Sequence, residues 1–291
     1  MKAIIIGGSG FLGSHVADSL TKKNFKVTIY DEKYPIFKNK KQKFVKGDIL
    51  NFKKLKNLIQ KQDYVFMFAG LSDLNDAVNN PIDSVKLNIL STVGILKICV
   101  TSKIKRFVFS SSIYANSKSG GFYRSSKLAA EEYIKEFYKK YKLNYTVLRY
   151  GSIYGPRSDK SNGVKKIILD ALNENRIKYM GNKRSVRQYI HVKDAAEATS
   201  KILRSKYKNK FVTIKGNRSI KVKTMLLYLA KRIKIKKRII FEEKKYSGHY
   251  VLSPEVYTVN KGINLRIKNK NFFREIDTLI IGTKNELRKK N

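Results

Sequence analysis

Tyr123 and Lys127 stand four residues apart in Tyr123-Arg124-Ser125-Ser126-Lys127, the spacing that puts two side chains on one face of a helix. An ammonium beside a phenol favours the phenolate and lowers its pKa from about 10, so such a pair can exchange protons near neutral pH. Taken alone, the pair is also a common surface arrangement. What gives it weight is Ser110-Ser111-Ser112, which closes an apolar strand-like run just upstream. A hydroxyl there could donate to, or accept from, the same substrate oxygen that the tyrosine serves.

A second constellation suits phosphates. Gly7-Gly8-Ser9-Gly10-Phe11-Leu12-Gly13 follows the first apolar run and opens the first helical pattern. Glycines at 7, 10 and 13 allow a tight turn, close approach to a pyrophosphate and helix-on-strand packing, with the phosphates on the free N–H groups of the helix start. Asp31 ends the next strand about 20 residues on. A carboxylate there accepts from adenosine ribose hydroxyls and repels a 2′-phosphate, which favours NAD over NADP; Lys33 close by is the feature that speaks for NADP. Asp48 ends the third strand and either holds the adenine amino group or is a turn aspartate that starts the next helix. Ala69-Gly70 are small enough to let a cofactor pass over the sheet edge.

Elements must hold these residues together, and their order is readable. Strands are expected at Ala3 to Ile6, Lys26 to Tyr30, Lys43 to Val45, Tyr64 to Phe68, Arg106 to Ser110 and Tyr145 to Arg149. Helices are expected at Phe11 to Lys22, Phe52 to Ile59, Pro81 to Ser102 and Ser125 to Tyr141. Such alternation implies an α/β, Rossmann-type, doubly wound parallel sheet with ligands at the carboxyl ends of its strands. After Pro156 the pattern loosens, with helices expected near Gly163 to Asn173, Val192 to Leu203 and Lys223 to Arg232, and the tail after Ser247 is hard to assign. Residues 1–157 and about 187–214 are expected to form the dinucleotide-binding domain. A smaller α/β substrate lobe then takes about 158–186 and 215–291.

Composition removes several classes. The 291 residues are enough to bury roughly three quarters of the unfolded surface without metals or disulfides. Cys99 is the only cysteine and there are 3 His, so disulfide frameworks and Cys/His zinc sites are excluded, and no metal is expected. Cys99 lies in an apolar pattern and reads as a small buried hydrophobe. No uncharged apolar run reaches the roughly 18 residues that span a bilayer, and the N-terminal apolar stretch is too short for a signal peptide. A cytoplasmic, soluble protein is the expectation. Lys plus Arg is 63 against 22 Asp plus Glu, a net charge of +41, which by itself suggests a polyanion partner. The basic residues are scattered, however, and the densest stretch, Lys231 to Arg238, alternates basic and apolar residues as a strand with one solvated face would. A specific nucleic-acid partner is not expected.

Together these stretches carry a resemblance. The chain resembles extended short-chain dehydrogenases/reductases of the NAD-dependent epimerase/dehydratase family, which act on nucleotide-activated sugars. The matching stretches run from Ile4 to about Leu203: the GGSGFLG loop, Asp31, Gly47-Asp48-Ile49, Ala69-Gly70, Asn88, RFVFSSS, YRSSK, LRYGSIYGPR from Leu148 and RQYIHVKDAA from Arg187. The resemblance implies that NAD lies against Gly7, Gly10, Phe11, Leu12, Gly13, Asp31, Asp48, Ile49, Ala69, Gly70, Asn88, Ser110, Tyr123, Lys127 and Tyr150. It implies Tyr123 as the proton-exchanging residue and Lys127 as its pKa tuner and ribose ligand. Strand register gives the serine/threonine role to Ser112, and a count back from Ile113-Tyr114 gives it to Ser110; the strand register is preferred. Ser72, Ser112, Tyr123, Ser152 and Arg187 would face the substrate, with Arg187 on the nucleotide diphosphate or, alternatively, simply at the surface. His191 and His15 are expected to pack or cap.

The chain also departs from the family pattern. The interval from Ser112 to Tyr123 is short, Ile113-Tyr114 replace the Asp-Glu pair of sugar 4,6-dehydratases, Ser152 stands where many members carry asparagine, and Ser253-Pro254 match the C-terminal pattern poorly. The expected function is an NAD-dependent nucleotide-sugar epimerase acting through transient oxidation at a sugar hydroxyl, commonly C4. The alternatives are a nucleotide-sugar dehydrogenase or 4-ketoreductase with net redox, and a non-catalytic NAD-binding sensor. A homodimer is expected, with the helices at 81–102 and 125–141 packing across a two-fold around an apolar centre.

Overall fold

A computed structural model of the chain describes residues 1–237, 239–242, 249–252, 262–265 and 267–289. Its centre is built from short apolar runs: Lys2–Ile6 (β1), Lys26–Asp31 (β2), Lys43–Lys46 (β3), Tyr64–Met67 (β4), Arg106–Ser112 (β5), Tyr145–Tyr150 (β6), Lys210–Ile214 (β7) and Ile263–Asn264 (β8). They make one eight-stranded sheet, ordered β8-β7-β6-β5-β4-β1-β2-β3, in which every pairing is parallel. Ile4, Ile5 and Ile6 in succession are almost wholly buried, as a strand covered on both faces requires. Strand order reverses between β1 and β4, and that is where a doubly wound sheet opens a crevice at its carboxyl edge.

The flanking helices are Phe11–Lys22 (α1), Phe52–Ile59 (α2), Ser91–Thr101 (α3), Gly121–Tyr141 (α4), Gly163–Glu174 (α5), Val192–Lys201 (α6), Val222–Ile233 (α7) and Phe272–Arg288 (α8). Val16, Ala17 and Leu20 of α1 and Ala195, Ala196 and Ala198 of α6 close one face of the sheet. Leu55 and Ile59 of α2, Ile95, Leu96 and Cys99 of α3, and Ala130 and Ile134 of α4 close the other. A separate core joins α5, α7 and α8 through Ile168, Leu226, Leu229, Ile276 and Leu279.

Several sequence expectations are corrected here. β5 runs on to Ser112, so all three serines are strand residues. α4 begins at Gly121, after Gly120 at φ +114°, four residues before the expected start. The expected helix at 81–102 is interrupted by a π turn at Val85–Leu90. By length and composition, residues 81–101 could cross a membrane; in the fold this helix packs its Ile95, Leu96 and Cys99 into the core beside the sheet. Lys231 to Ile233 finish α7, and Lys234 caps it at φ +68°, so the basic stretch to 237 is not the expected strand; Arg238 lies outside the described residues. The tail holds α8, which opens with Asn271 accepting from the Arg274 N–H, and β8, which pairs with β7 although the sequence reading placed it in the substrate lobe. Ser253-Pro254 lie outside the described residues.

Candidate active site

One cavity of about 1500 Å³ opens at the carboxyl edge of the sheet, lined by the ends of β1, β2, β4, β5 and β6 and by residues of the second lobe. The glycine loop forms its floor at one end. A Cβ at Gly7, which has φ +83°, would come 2.3 Å from the Ala69 nitrogen, and one at Gly13 would come 2.2 Å from the Gly7 carbonyl oxygen. Gly10 differs: a Cβ there meets only the Gly7 oxygen at 3.4 Å, and Gly10 lines the cavity. Glycines 7 and 13 thus permit packing, while Gly10 keeps the approach to the start of α1 clear. No side chain caps that helix start and no acidic residue occupies its first turn, so its N–H groups and positive end of the dipole face the cavity. The residues present therefore fit a pyrophosphate-bearing cofactor.

Asp31 lies on the cavity wall beside this loop. Its Oδ2 accepts from the Ser9 N–H (3.0 Å) and its Oδ1 from the Lys33 N–H (3.0 Å), and the Ser9 hydroxyl donates to the Lys33 carbonyl. Asp48 and Ile49 line the adjoining wall. The Asp48 Oδ1 accepts from the Leu50 N–H at 2.8 Å, the turn arrangement that was the alternative reading. Gly70, at φ +141°, lies against Asn88, and Ala69 and Gly70 both line the cavity. Asn88 itself does not line it. From the π turn, its amide donates to the Leu71 carbonyl and the Ser126 hydroxyl, and its Oδ1 accepts from the Leu71 N–H. It positions the 70–71 segment against α4, which replaces the expected direct cofactor contact.

The reactive residues meet deeper in the cavity. β4 ends at Met67, paired with Phe109, while β5 continues beside β6 until Ser112 meets Tyr150. The last three residues of β5 thus have a free edge toward the crevice. Strand alternation points Ser110 and Ser112 to one face and Ser111 to the other. Ser112 hydrogen-bonds the Tyr123 phenol, which lowers the phenol pKa, yet burial dominates and pushes it up to about 12. Lys127, one turn behind, sits 5.9 Å from the Tyr123 ring centroid and donates to the Ser110 carbonyl at 3.0 Å. Burial lowers Lys127 to about 8, opposed by Glu131. The expected lowering of the phenol by its lysine is not found: burial raises the phenol, and Ser112 is the group that opposes it.

Residues not singled out in the sequence hold this set in place. Glu131 is one further turn along α4 and completely buried with Arg149 of β6. Glu131 accepts from the Arg149 guanidinium and from the Ser111 hydroxyl (2.6 Å). Tyr123, Lys127 and Glu131 at i, i+4 and i+8 thus form the sheet-facing stripe of α4. Tyr114, in the shortened segment after β5, packs edge-on against Tyr123 with centroids 6.1 Å apart, and its hydroxyl lies 3.0 Å from His249 Nδ1.

At the far end, Ser72, Ser152, Arg187 and His249 line the cavity. The Arg187 guanidinium lies 4.1 Å from the Tyr250 ring centroid and donates to the Val186 carbonyl, so the residue is buried rather than a surface arginine. Ser152 Oγ is 3.4 Å from the Tyr250 hydroxyl. Tyr150 lines the cavity, and its hydroxyl lies 2.6 Å from the Thr199 hydroxyl. His191 caps α6, accepting from the Lys193 N–H, and His15 donates to the Pro156 carbonyl at 3.0 Å. Burial lowers both imidazoles to about 4, so both are neutral and structural in character.

Known proteins are similar to this chain in sequence and in fold. The sequence profile described as "NAD dependent epimerase/dehydratase family" matches residues 3–214. A protein of Methanocaldococcus jannaschii assigned as a UDP-glucose 4-epimerase is 28% identical over 269 residues, covering 85% of this chain and 87% of its own. A dTDP-D-glucose 4,6-dehydratase of Dictyostelium discoideum is 30% identical over 240 residues, 70% of this chain but only 55% of that protein. Among solved structures, a UDP-glucuronic acid 4-epimerase from Bacillus cereus, crystallised with NAD and a fluorinated substrate analogue, superposes with a TM-score of 0.86 at 19% identity, covering 98% of this chain and 100% of that one. The glycine loop, the carboxylate that ends β2 and the Ser/Tyr/Lys set lie within the matched span, and the chain belongs to the NAD-dependent epimerase/dehydratase family.

Proposed function

We propose that the chain is an epimerase of nucleotide-diphosphate sugars, with NAD as a retained cofactor. The observation that carries this reading is that Ser112 and Tyr123 line the same cavity as the glycine loop and Arg187, with Lys127 buried one turn behind Tyr123 and held by the Ser110 carbonyl. NAD, when bound, supplies a hydride acceptor that can also return the hydride. Tyr123 takes the proton from the sugar hydroxyl, commonly at C4, as the carbinol carbon loses hydride and becomes a ketone; the proton and hydride then return with the opposite face of the sugar presented. Ser112 holds the reacting oxygen, and Lys127, protonated below about pH 8, offsets negative charge on the phenolate. Arg187 holds the diphosphate, with Ser72 and Ser152 toward the sugar. Dehydration is disfavoured, because Ile113 and Tyr114 follow Ser112 where dehydratases carry two carboxyl groups.

The assay is turnover of a panel of nucleotide sugars with absorbance followed at 340 nm. An epimer formed with no net absorbance change supports the proposal, whereas stoichiometric change would make the chain a net dehydrogenase or 4-ketoreductase. Tyr123→Phe should lower turnover roughly 10²- to 10⁴-fold. Undiminished rates in both Tyr123→Phe and Lys127→Ala would leave the NAD-binding sensor as the better reading.

The same reading makes the protein a cytoplasmic homodimer. Ile82, Val85 and Leu90 on the 81–101 helix and Phe122, Tyr133 and Tyr141 on the neighbouring α4 are exposed by 46% to 68%. They would supply the apolar centre that a contact between two strongly cationic chains needs.

A further inference from the structure

We infer that Arg157, Asp18 and Phe37 form a bracket that holds the 32–42 loop against the adenosine end of the cavity and slows release of NAD; this rests on the cofactor reading of the cavity and not on the sugar reaction. Between β2 and β3 the chain runs from Glu32 to Gln42 with no helix or strand of its own. Tyr34, Ile36 and Phe37 line the cavity from this loop while remaining 71%, 86% and 46% exposed. Apolar side chains left open beside a ligand cavity suit contact with that ligand.

The loop is fixed at three points. At its start, Asp31 Oδ1 accepts from the Lys33 N–H. At its end, Gln42 Nε2 donates to Asp18 Oδ1 and Thr21 Oγ1 on α1. In the middle the Arg157 guanidinium lies over the Phe37 ring, 4.7 Å from its centroid, while Nη2 donates to Asp18 Oδ2 at 2.7 Å. Asp18 thus binds the loop end with one oxygen and Arg157 with the other.

Arg157 reaches across from the segment that enters the second lobe, and its backbone takes φ +67°, a conformation that costs a non-glycine residue free energy unless its surroundings enforce it. His15 enforces it from α1 by holding the preceding Pro156 carbonyl. The Arg157 Nη1 is buried and has no partner among the described residues, although the residue lines the cavity. A cationic donor without a protein acceptor, on a residue that lines the cavity, suits a phosphate or ribose oxygen of the dinucleotide. Arg157 is therefore a positioning residue: it clamps Phe37 to α1 and leaves one donor for the cofactor.

The test is the rate at which NADH, followed by its fluorescence, is displaced from the loaded protein by excess NAD. Arg157→Ala and Phe37→Leu should each speed release about five- to twentyfold, and the double variant should release no faster than the faster single one, as coupled residues do. Phe37→Tyr keeps the stacked ring and should keep the native rate, as should Lys40→Ala in the same loop. Arg157→Lys keeps the charge without the planar stack and should release quickly. Release within twofold of native in Phe37→Leu, with an unchanged thermal midpoint, would overturn the bracket, as would a native rate in Arg157→Lys. Failure of the native protein to take up NADH would overturn the cofactor reading along with it.

Discussion

Ser110 and Ser112 show how little sequence separates a reacting side chain from a supporting backbone. Both lie on the same face of β5, yet Ser112 gives its hydroxyl to Tyr123, while Ser110 gives its main-chain carbonyl to Lys127. The two substitutions should therefore separate. Ser112→Ala removes a hydrogen bond that lowers the Tyr123 pKa, so the phenol, already pushed up to about 12 by burial, rises further. Less phenolate is then present at any given pH, so kcat/KM should fall by roughly 10²-fold or more, and its acidic limb should move to higher pH. Ser110→Ala retains the carbonyl that holds Lys127 and should leave that limb where it is. A pH–rate profile of the two variants checks this, and equal profiles would return the role to an open choice between them. Sequence spacing alone favoured Ser112 only through an assumed strand register; the choice needs the paired strands Phe109–Met67 and Ser112–Tyr150.

At the scale of elements, α4 is aligned by a bond that no local motif announces. Glu131 and Arg149 are 18 residues apart in sequence and completely buried, and they tie the catalytic helix to β6 and, through Ser111, to β5. Removing one partner of a buried pair leaves a charge without its counter-ion and costs about 3–5 kcal/mol. Glu131→Ala should accordingly lower the thermal midpoint by roughly 10 °C, and Glu131→Leu with Arg149→Met should recover part of that loss. A midpoint within a degree of the native value in Glu131→Ala would show that the pair aligns nothing. The glycine loop, Asp31, the alternating strands and the Tyr123–Lys127 pair were legible in the sequence, because each depends on spacing within one or two elements. Glu131–Arg149 was not, because it depends on two registers at once. The π turn around Asn88 was hidden inside a continuous helical pattern, and α4 starts at two glycines, Gly120-Gly121, a residue type that does not announce a helix. α8 was missed for a different reason. Its cap Asn271 and its apolar stripe of Phe272, Ile276, Leu279 and Ile280 are visible, but they follow a lysine- and asparagine-rich stretch that resembles a loop.

For the molecule as a whole, the charge of +41 bears on assembly more directly than on the reaction. Two such chains repel each other at long range, and that repulsion is screened as salt rises, since the Debye length falls from about 30 Å at 0.01 M to about 10 Å at 0.1 M. Apolar contact between exposed residues is not weakened in the same way. If Ile82, Val85, Leu90, Phe122 and Tyr133 are the centre of a two-fold contact, the dimer should tighten as salt is raised, the opposite of an interface held by ion pairs. Sedimentation equilibrium between 20 and 300 mM salt measures this directly. Leu90→Lys adds a like charge where the two copies would meet and should shift the protein toward monomer at every salt concentration, by roughly tenfold or more in dissociation constant. Lys40→Ala, on the distant 32–42 loop, should leave the equilibrium nearly unchanged. A dimer that weakens with salt, or one indifferent to Leu90→Lys, would place the contact elsewhere on the surface. Monomer throughout would mean that these apolar side chains face solvent or a different partner. The same field draws anions toward the cavity, so a positively charged surface can favour a dianionic substrate while opposing self-association, and the apolar face is what lets the two coexist.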